Sequence, residues 1–427
     1  MNLIPILAAK NVLTISKLSG RNGSTWPGHV ALNINNNLVK EIVKKNPQLR
    51  IILIAGTNGK TTTAKMVYEI LENKGLKVFR NEEGANLLNG ITSALISHSN
   101  LSGKINYDVA IFEVDENSLP IVADNTNPYA IVLLNLFRDQ LDRYGEVNAV
   151  AQKWQDCLSK FSEKTILISN GDDPMLSYIA EQSKLKSFYF GLTKKDSGSK
   201  SATDRDFLYC PKCSTKLDFE FRTYSHMGKF SCPKCGFKNP MIHTYNLPNP
   251  LLGEYNLYNI NACALLLGEG FDMDISSIKD VLSNFSPAFG RQEKIKYKNR
   301  EILIMLSKNP ASFNRSIDAI LEKEKSPHVL FVLNDRIPDG TDVSWIWDIE
   351  TDEISQKTKD IFVSGDRAFD MALRIKYSDG KFSVFENLQT AIDKAVASVK
   401  EEETLYVLPT YSAMLEVRKI LTGKKIL

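Results

Sequence analysis

Short apolar runs rich in β-branched residues recur through the first half of the chain: Ile51–Ala55, Val109–Val114, Ala130–Leu134, Thr165–Ile168 and Ser187–Phe190. Stretches of helical periodicity separate them, notably Val147–Phe161. Strand and helix in alternation predict a doubly wound α/β sheet of parallel strands. After Gly290 a second series begins, with strands predicted at Glu301–Leu306, Val329–Leu333, Asp360–Val363 and Thr404–Leu408, and it reads as a separate C-terminal domain. From about Asp204 to Met241 the pattern changes to Cys-Pro pairs, glycine and aromatic residues, a module whose own core is too small to stand without a staple. The predicted organisation is an N-terminal segment at 1–45, a central domain at 46–290 with the insertion at about 204–241, and a C-terminal domain at 291–427. No repeat period stands out, and Lys194–Ser201 is a polar loop.

Composition narrows the class. A length of 427 residues fits two or three domains, each with a sizeable core. Hydrophobic residues at 43% and charged residues at 24% lie near the soluble globular average, which excludes a disordered chain and a coiled coil. The 53 basic and 50 acidic residues are interleaved, so the net charge of +3 gives little reason to expect a nucleic-acid partner. No window approaches the ~18 consecutive apolar residues of a spanning helix. The Leu3–Ala9 run lacks a basic segment before it and stops at Lys10, unlike a signal peptide. A cytoplasmic chain is expected, and there six cysteines are metal ligands or buried thiols rather than disulfides.

The chemistry begins directly after the first strand. In Gly56-Thr57-Asn58-Gly59-Lys60-Thr61-Thr62 the glycines let backbone N–H groups close around phosphate oxygens, and the following helix N-terminus adds positive potential. Lys60 is placed to balance β- and γ-phosphate charge, and Thr61 offers a hydroxyl to Mg²⁺. A glycine turn alone is only a tight connection; set between strand and helix and followed by Lys-Thr, it reads as an ATP site. The magnesium needs an anionic ligand. Glu113 and Asp115, two apart at the end of the Val109–Val114 strand, are predicted to share one face toward the phosphate crevice, with Glu116 next. A solvated strand end is the alternative.

Cys210-Pro-Lys-Cys213 and Cys232-Pro-Lys-Cys235 are paired CxxC knuckles at the spacing of a four-thiolate zinc ribbon. Four thiolates leave no open coordination position, so the zinc is expected to be structural; a redox dithiol or a nucleic-acid contact is the rival reading. Cys157 and Cys263 lie in helical stretches and read as small core residues. None of the histidines at 29, 98, 226, 243 and 328 pairs recognisably with either, so no glutaminase site is visible.

Taken together the chain resembles the Mur ligase family. The resemblance rests on Gly56–Thr62, Glu113–Glu116, the Asn135–Gly145 stretch NLFRDQLDRYG, Gly253-Glu254-Tyr255-Asn256 with Asn259, and Gly290-Arg291-Gln292-Glu293. It implies a Mur ligase-type central P-loop ATPase domain carrying an inserted four-cysteine zinc ribbon, and a Rossmann-like α/β C-terminal domain. It also implies nucleotide contacts from Thr57, Asn58, Gly59, Lys60, Thr61, Thr62, Asn256 and Arg291, with Asn256 on the base side, while Asp139 and Asp142 hold the loop together. Three departures narrow it. About fifty residues precede the phosphate-loop strand, leaving no room for a domain that grips a uridine nucleotide; the cysteine insertion is foreign to the amino-acid ligases; and Asn334–Asp348 and Gly23–Gly28 are similar to the MurT branch, synthetase subunits of lipid II isoglutaminyl synthase.

That branch implies activation of the D-glutamate α-carboxyl of lipid II as an acyl phosphate and its amidation with ammonia. The ammonia would come from a separate class I glutamine amidotransferase resembling GatD, forming a heterodimer with this chain. Lys60 and Glu113 would be catalytic, and an aspartate of the C-terminal domain would complete the partner's triad. Asp342 is the best match, with Asp339 and Asp348 nearby and a plain turn cap as the alternative. Trp345 and Trp347 are expected on one strand face, partner-facing or core. Two rivals remain: a folylpolyglutamate-type ligase that adds an amino acid, and a nucleotide-regulated zinc-ribbon binding protein.

Overall fold

Strand β1 (Arg50–Ala55) shows how the central domain is built. Ile51, Leu53 and Ala55 enter one core, Ile52 and Ile54 another, because successive strand side chains point to opposite faces. The computed structural model describes residues 3–18, 23–82, 84–137, 147–193, 207–287 and 290–423. Around β1 lies a parallel six-stranded sheet with β2 (Val78–Arg80), β3 (Val109–Val114), β4 (Ala130–Leu133), β5 (Ile166–Asn170) and β6 (Lys186–Phe190), in the order β2-β3-β1-β4-β5-β6. The predicted apolar runs are thus strands, their ends displaced by a residue or two.

One face is covered by α1 (Ile4–Leu18), α2 (Trp26–Ile34), α3 (Leu38–Lys45), α5 (Leu88–Ser97), α6 (Leu119–Thr126), α7 (Val147–Leu158) and α8 (Pro174–Gln182). The other carries α4 (Lys60–Asn73), α9 (Asn256–Phe271) and α10 (Ile275–Ser283). The chain leaves β1 toward β2 on one side and later returns to β4 on the other, so the loops after β1 and β4 meet at the switch in strand order, where α/β sheets bind ligands.

The C-terminal domain repeats the plan. Its strands are β9 (Arg291–Tyr297), β10 (Arg300–Met305), β11 (His328–Val332), β12 (Asp360–Ser364), β13 (Phe382–Val384) and β14 (Thr404–Pro409), in the order β13-β12-β11-β14-β10-β9, with β9 alone antiparallel. Helices α11 (Pro310–Lys323), α12 (Asp352–Lys357) and α13 (Ala368–Lys376) cover one face, α14 (Leu388–Ser398) and α15 (Tyr411–Thr422) the other. Asn309 starts α11 through a capping box with Ser312, and Pro310 fills the first turn.

The insertion between β6 and α9 forms a two-stranded antiparallel ribbon, β7 (Asp218–Tyr224) and β8 (Met227–Ser231). Its own core is Cys210, Leu217, Phe230, Cys232 and Phe237. The segment around Trp345 and Trp347 is not a strand but a 3-10 turn, Ser344–Asp348, begun by Asp342 accepting the Ser344 N–H at 2.8 Å. Spacing of two does not separate a strand from a tight turn. Trp345 packs on Phe313 at a centroid distance of 5.5 Å, while Trp347 is 48% exposed. No described helix is long and apolar enough to cross a membrane.

Trp154 of α7 is fully buried, and its indole N–H donates to the Glu116 carbonyl at 2.7 Å. Replacing it with Phe leaves that buried carbonyl short of a donor, so Trp154→Phe is expected to cost about 1–3 kcal/mol. Trp347→Phe, at an exposed site, is expected to stay within about 0.5 kcal/mol. Urea unfolding midpoints check the pair, and equal shifts would contradict the burial argument.

Candidate active site between the two domains

Two glycines set the path of the loop after β1. Gly56 has φ +147° and Gly59 φ +91°. A Cβ on Gly59 would stand 2.2 Å from Asn259 Oδ1, and one on Gly56 2.9 Å from Leu134 Cβ. Lys60, Thr61 and Thr62 then form the first turn of α4, whose unpaired N–H groups and positive dipole end face the loop. This is an anion site before any side chain is considered.

The exit of β4 holds the loop in place. Asn135 Oδ1 accepts the Asn58 N–H and its Nδ2 donates to the Asn58 carbonyl, both at 2.9 Å, while its own carbonyl accepts the Thr57 N–H at 3.1 Å. The Phe137 N–H donates to Thr57 Oγ1 at 2.9 Å. One strand end is therefore stitched to the other through buried hydrogen bonds. The rest of the NLFRDQLDRYG stretch, with Asp139 and Asp142, lies outside the described residues.

Charge is arranged around this loop. Lys60 Nζ donates to the Gly56 and Thr57 carbonyls and pairs with Glu116 Oε2 at 3.3 Å. Thr61 Oγ1 donates to Glu113 Oε2 at 2.7 Å. The other carboxylate oxygen of Glu113 is buried without a hydrogen-bond partner, 3.9 Å from Arg80 Nη1, and Asn58 Nδ2 is likewise buried and unsatisfied. A buried acceptor beside a threonine hydroxyl suits a magnesium ion, and a buried amide donor on the loop suits a phosphate oxygen. Asp115 lies one residue beyond β3, where strand alternation no longer applies. Its Oδ1 accepts the Asn117 N–H at 3.1 Å and closes a turn, while the next residue, Glu116, reaches Lys60.

Across from the loop the C-terminal domain completes a cleft bordered by Asn58, Gly59, Asn256, Asn259, Arg291 and Arg315. The phosphate loop and the two expected nucleotide residues, Asn256 and Arg291, thus share one cavity. Asn256 Nδ2 donates to the Leu252 carbonyl at 2.7 Å, and Asn259 Nδ2 donates to Asn256 Oδ1 at 3.2 Å, linking Gly59 to the start of α9. Gln292, in the left-handed region at φ +61°, brackets Leu252 by accepting its N–H at 2.6 Å and donating to its carbonyl at 2.7 Å. That pair joins the C-terminal domain to the segment leading into α9.

Arg315 of α11 was not singled out by sequence reasoning, since nothing around it marks a site. Its guanidinium lies 4.9 Å from the Phe137 ring centroid and 5.3 Å from that of Tyr255, and the residue is 7% exposed. Stacking holds a positive charge of one domain against the other at the cleft. Asn135 was legible in principle: it follows β4 directly, and β4 adjoins β1.

The three C-terminal aspartates separate clearly. Asp339 is buried, and its carboxylate accepts the Ser412 N–H at 2.8 Å and the Ser412 hydroxyl, so it holds the start of α15. Asp342 is exposed, and the Ser344 N–H keeps its carboxyl below the ordinary range, hence anionic at neutral pH. Asp348 is exposed at the end of the 3-10 turn. Asp342 lies outside the cleft, on the loop after β11. Burial pushes the Cys157 thiol up to about 11 and the Cys263 thiol up as well, which suits core residues and not nucleophiles.

In the ribbon, Cys210 and Cys235 sulfurs lie 3.5 Å apart, as do those of Cys213 and Cys232, and all four fall within 4.8 Å of one another. Disulfides are excluded at those separations, whereas a tetrahedral ion bound at ~2.3 Å separates its sulfurs by roughly 3.8 Å. The residue after each knuckle is left-handed, Ser214 at φ +57° and Gly236 at φ +73°. The donor set fits zinc. The hairpin is also wired to the central domain: His226 Nε2 meets Asp173 Oδ2 at 3.2 Å, and the Leu136 N–H donates to that same oxygen at 3.3 Å, one residue from Asn135.

Gly59→Ala is expected to weaken ATP binding about a hundredfold, since a left-handed alanine and displacement of Asn259 together cost about 3 kcal/mol. Calorimetric titration checks it, with thermal melting as the folding control; affinity within threefold of the parent would contradict the reading. Purified protein is expected to carry a single zinc ion per chain by elemental analysis. Cys210→Ser should lose it and open the ribbon to protease, and retained zinc would contradict four-thiolate ligation.

Comparison with known proteins follows these boundaries. The Mur ligase middle domain family matches residues 54–267, and the MurT ligase C-terminal family matches 306–414. A lipid II isoglutaminyl synthase (glutamine-hydrolysing) subunit MurT from Streptococcus pneumoniae is 30% identical, the alignment covering 100% of this chain and 99% of the relative. Its counterpart from Staphylococcus aureus strain COL is 29% identical over 95% of this chain and 94% of its own. Among solved structures, a pseudomurein peptide ligase type C from Methanothermus fervidus superposes with a TM-score of 0.65 at 24% identity, covering 90% of this chain and 81% of that one, a likeness of fold. Both domains and nearly the whole length agree, and the chain belongs to the MurT family of Mur ligases.

Proposed function

We propose that this chain is the synthetase half of a two-subunit ligase that uses ATP to amidate the D-glutamate α-carboxyl of lipid II, forming D-isoglutamine during peptidoglycan synthesis. The relatives named as subunits of lipid II isoglutaminyl synthase support the reading. The observation that carries it for this chain is the division of its chemistry: a phosphate site in the cleft, and an exposed anionic Asp342 outside it.

In the first step a carboxylate oxygen attacks the γ-phosphorus of ATP, ADP leaves, and an acyl phosphate forms. Lys60 exchanges the Gly56 and Thr57 carbonyls for phosphate oxygens, with Glu116 beside it as counter-ion. Glu113 and Thr61 would hold magnesium, which when bound neutralises developing phosphate charge. Asn256 and Arg291 position the nucleotide, and Arg315 faces the anionic reactants from the C-terminal side. In the second step ammonia attacks the acyl carbon and phosphate leaves, so the reaction is driven by the anhydride bond already broken. Water must be kept out between the steps, which the closing of the two domains over the cleft would accomplish.

Ammonia must come from elsewhere, since among the described residues no histidine stands with a cysteine in a nucleophilic pair. A class I glutamine amidotransferase resembling GatD would supply it, with Asp342 orienting the histidine of that partner. An apolar surface adjoins this loop. Phe369 and Leu373 of α13 and Tyr377 just past its end follow one another at helical spacing at 65%, 45% and 72% exposure, and Tyr377 meets exposed Trp347 edge-on at 5.4 Å. Aromatic residues in such a patch suit a protein interface.

Co-expressed with an adjacent glutaminase subunit, the Asp342→Asn variant should lose glutamine-driven amidation about a thousandfold or more, while ammonium-driven amidation stays near the parent rate. Mass spectrometry of the product and glutamate release check the two arms. Undiminished glutaminase activity would remove Asp342 from the triad, and a product heavier by a whole amino-acid residue would overturn amidation itself.

A further inference from the structure

Away from the cleft, Asp172, Asp173 and His226 are buried at 1%, 0% and 0% exposure and take no part in the chemistry described above. A polar side chain inside a core costs stability unless its hydrogen bonds are met, so its partners show what it holds. Asp173 joins three elements. Its Oδ1 accepts the Met175 and Leu176 N–H groups at 2.9 and 3.1 Å and caps α8, while its Oδ2 accepts the Leu136 N–H at 3.3 Å and faces His226 Nε2 at 3.2 Å. A carboxylate only accepts, so Nε2 is the ring nitrogen that carries the proton.

His226 also touches the next residue directly. Its ring centroid lies 4.9 Å from that of Phe137 and 5.1 Å from that of Phe207. One histidine thus bears on Leu136 through Asp173 and on Phe137 through its ring. On their other side the same residues hold the phosphate loop: Asn135 occupies the N–H and carbonyl of Asn58, and the Phe137 N–H donates to Thr57 Oγ1. Residues 135–137 therefore lie between the hairpin tip and the loop with no other segment intervening.

The tip is itself held on both flanks. Ser225, left-handed at φ +50°, turns the chain just before His226, and the Gly228 N–H just after it donates to the Asp172 carbonyl at 3.0 Å. Asn239 Nδ2 donates to the Gly228 and Gly171 carbonyls at 2.8 and 2.9 Å, tying the far side of the ribbon to the end of β5. Thr223 shares a hydrogen bond with the Tyr258 hydroxyl, which meets Asp172 Oδ2 at 2.8 Å, and Tyr258 precedes Asn259, the residue packed on Gly59. An apolar contact would cover the sheet as well but would tolerate sliding. A hydrogen bond aimed at one backbone N–H does not.

We propose that His226, acting through Asp173 and Phe137, is a positioning residue for the phosphate loop, so that the cysteine ribbon sets the affinity of the chain for ATP. The proposal rests on the reading of the cleft as an ATP site. Calorimetric titration of the full chain with ATP and magnesium tests it. His226→Ala is expected to bind about tenfold more weakly, and His226→Gln, whose amide N–H reaches Asp173 from a similar distance, to stay within threefold of the parent. Asp173→Asn keeps a cap for α8 but presents an amide NH₂ to the Leu136 N–H, so it should lose about as much as the alanine variant and carries the comparison where that variant does not fold. Ile392→Ala, in the core beneath α14, is the control: its melting temperature should fall while its ATP affinity stays within twofold. Binding by His226→Ala or Asp173→Asn within threefold of the parent overturns the proposal. So does a glutamine variant as weak as the alanine one, or a control that weakens binding as much, since general loosening would then account for the loss. A parent chain that binds no ATP would overturn the reading of the cleft itself, and the proposal with it.

Discussion

Two strand ends must sit side by side for anything else in this protein to work. Asn135, at the exit of β4, occupies both the N–H and the carbonyl of Asn58, and thereby fixes the loop that leaves β1. A backbone segment that binds phosphate through its own amides gains nothing from flexibility, because each free rotation would have to be frozen on binding. The parallel sheet supplies the separation, the glycines supply the close approach, and Asn135 supplies the register. Everything charged in the site is then referenced to this loop: Lys60 and Glu116 above it, Thr61 and Glu113 at the head of α4, and Arg315 across the cleft.

The second domain depends on the same point. Phe137, two residues past Asn135, bonds to Thr57 on one side and lies beneath the Arg315 guanidinium on the other. Gln292 binds the backbone of Leu252, just before the turn that leads to Asn256. The C-terminal domain therefore meets the central one at the phosphate loop's support and at the segment leading into Asn256. The ribbon reaches this place as well, through His226, Asp173 and the Leu136 N–H. Its four clustered cysteines sit at the far end of a hairpin whose tip supports the back of the loop after β4.

Much of this was readable in the residue order, and what was not has physical reasons. The strands were visible because buried parallel strands are continuous apolar runs, and the phosphate loop because its glycines and lysine have few other uses together. The CxxC knuckles were visible because tetrahedral ligation fixes their spacing. Trp345 and Trp347 were misplaced by reading a tight turn as a strand. Arg315 was invisible, since its importance comes from a contact between residues far apart in sequence. Among Asp339, Asp342 and Asp348 only coordinates separate a carboxylate held by Ser412 from ones left facing solvent.

The central claim is that the cleft activates a carboxylate by phosphorylation before nitrogen arrives. Substrate whose D-glutamate α-carboxyl carries heavy oxygen, turned over with ATP and ammonium, tests it directly. An acyl phosphate must lose its bridging oxygen with the departing phosphate, so the released inorganic phosphate is predicted to carry one label per amide formed. Label found in AMP, or amide formed with unlabelled phosphate, would contradict the account.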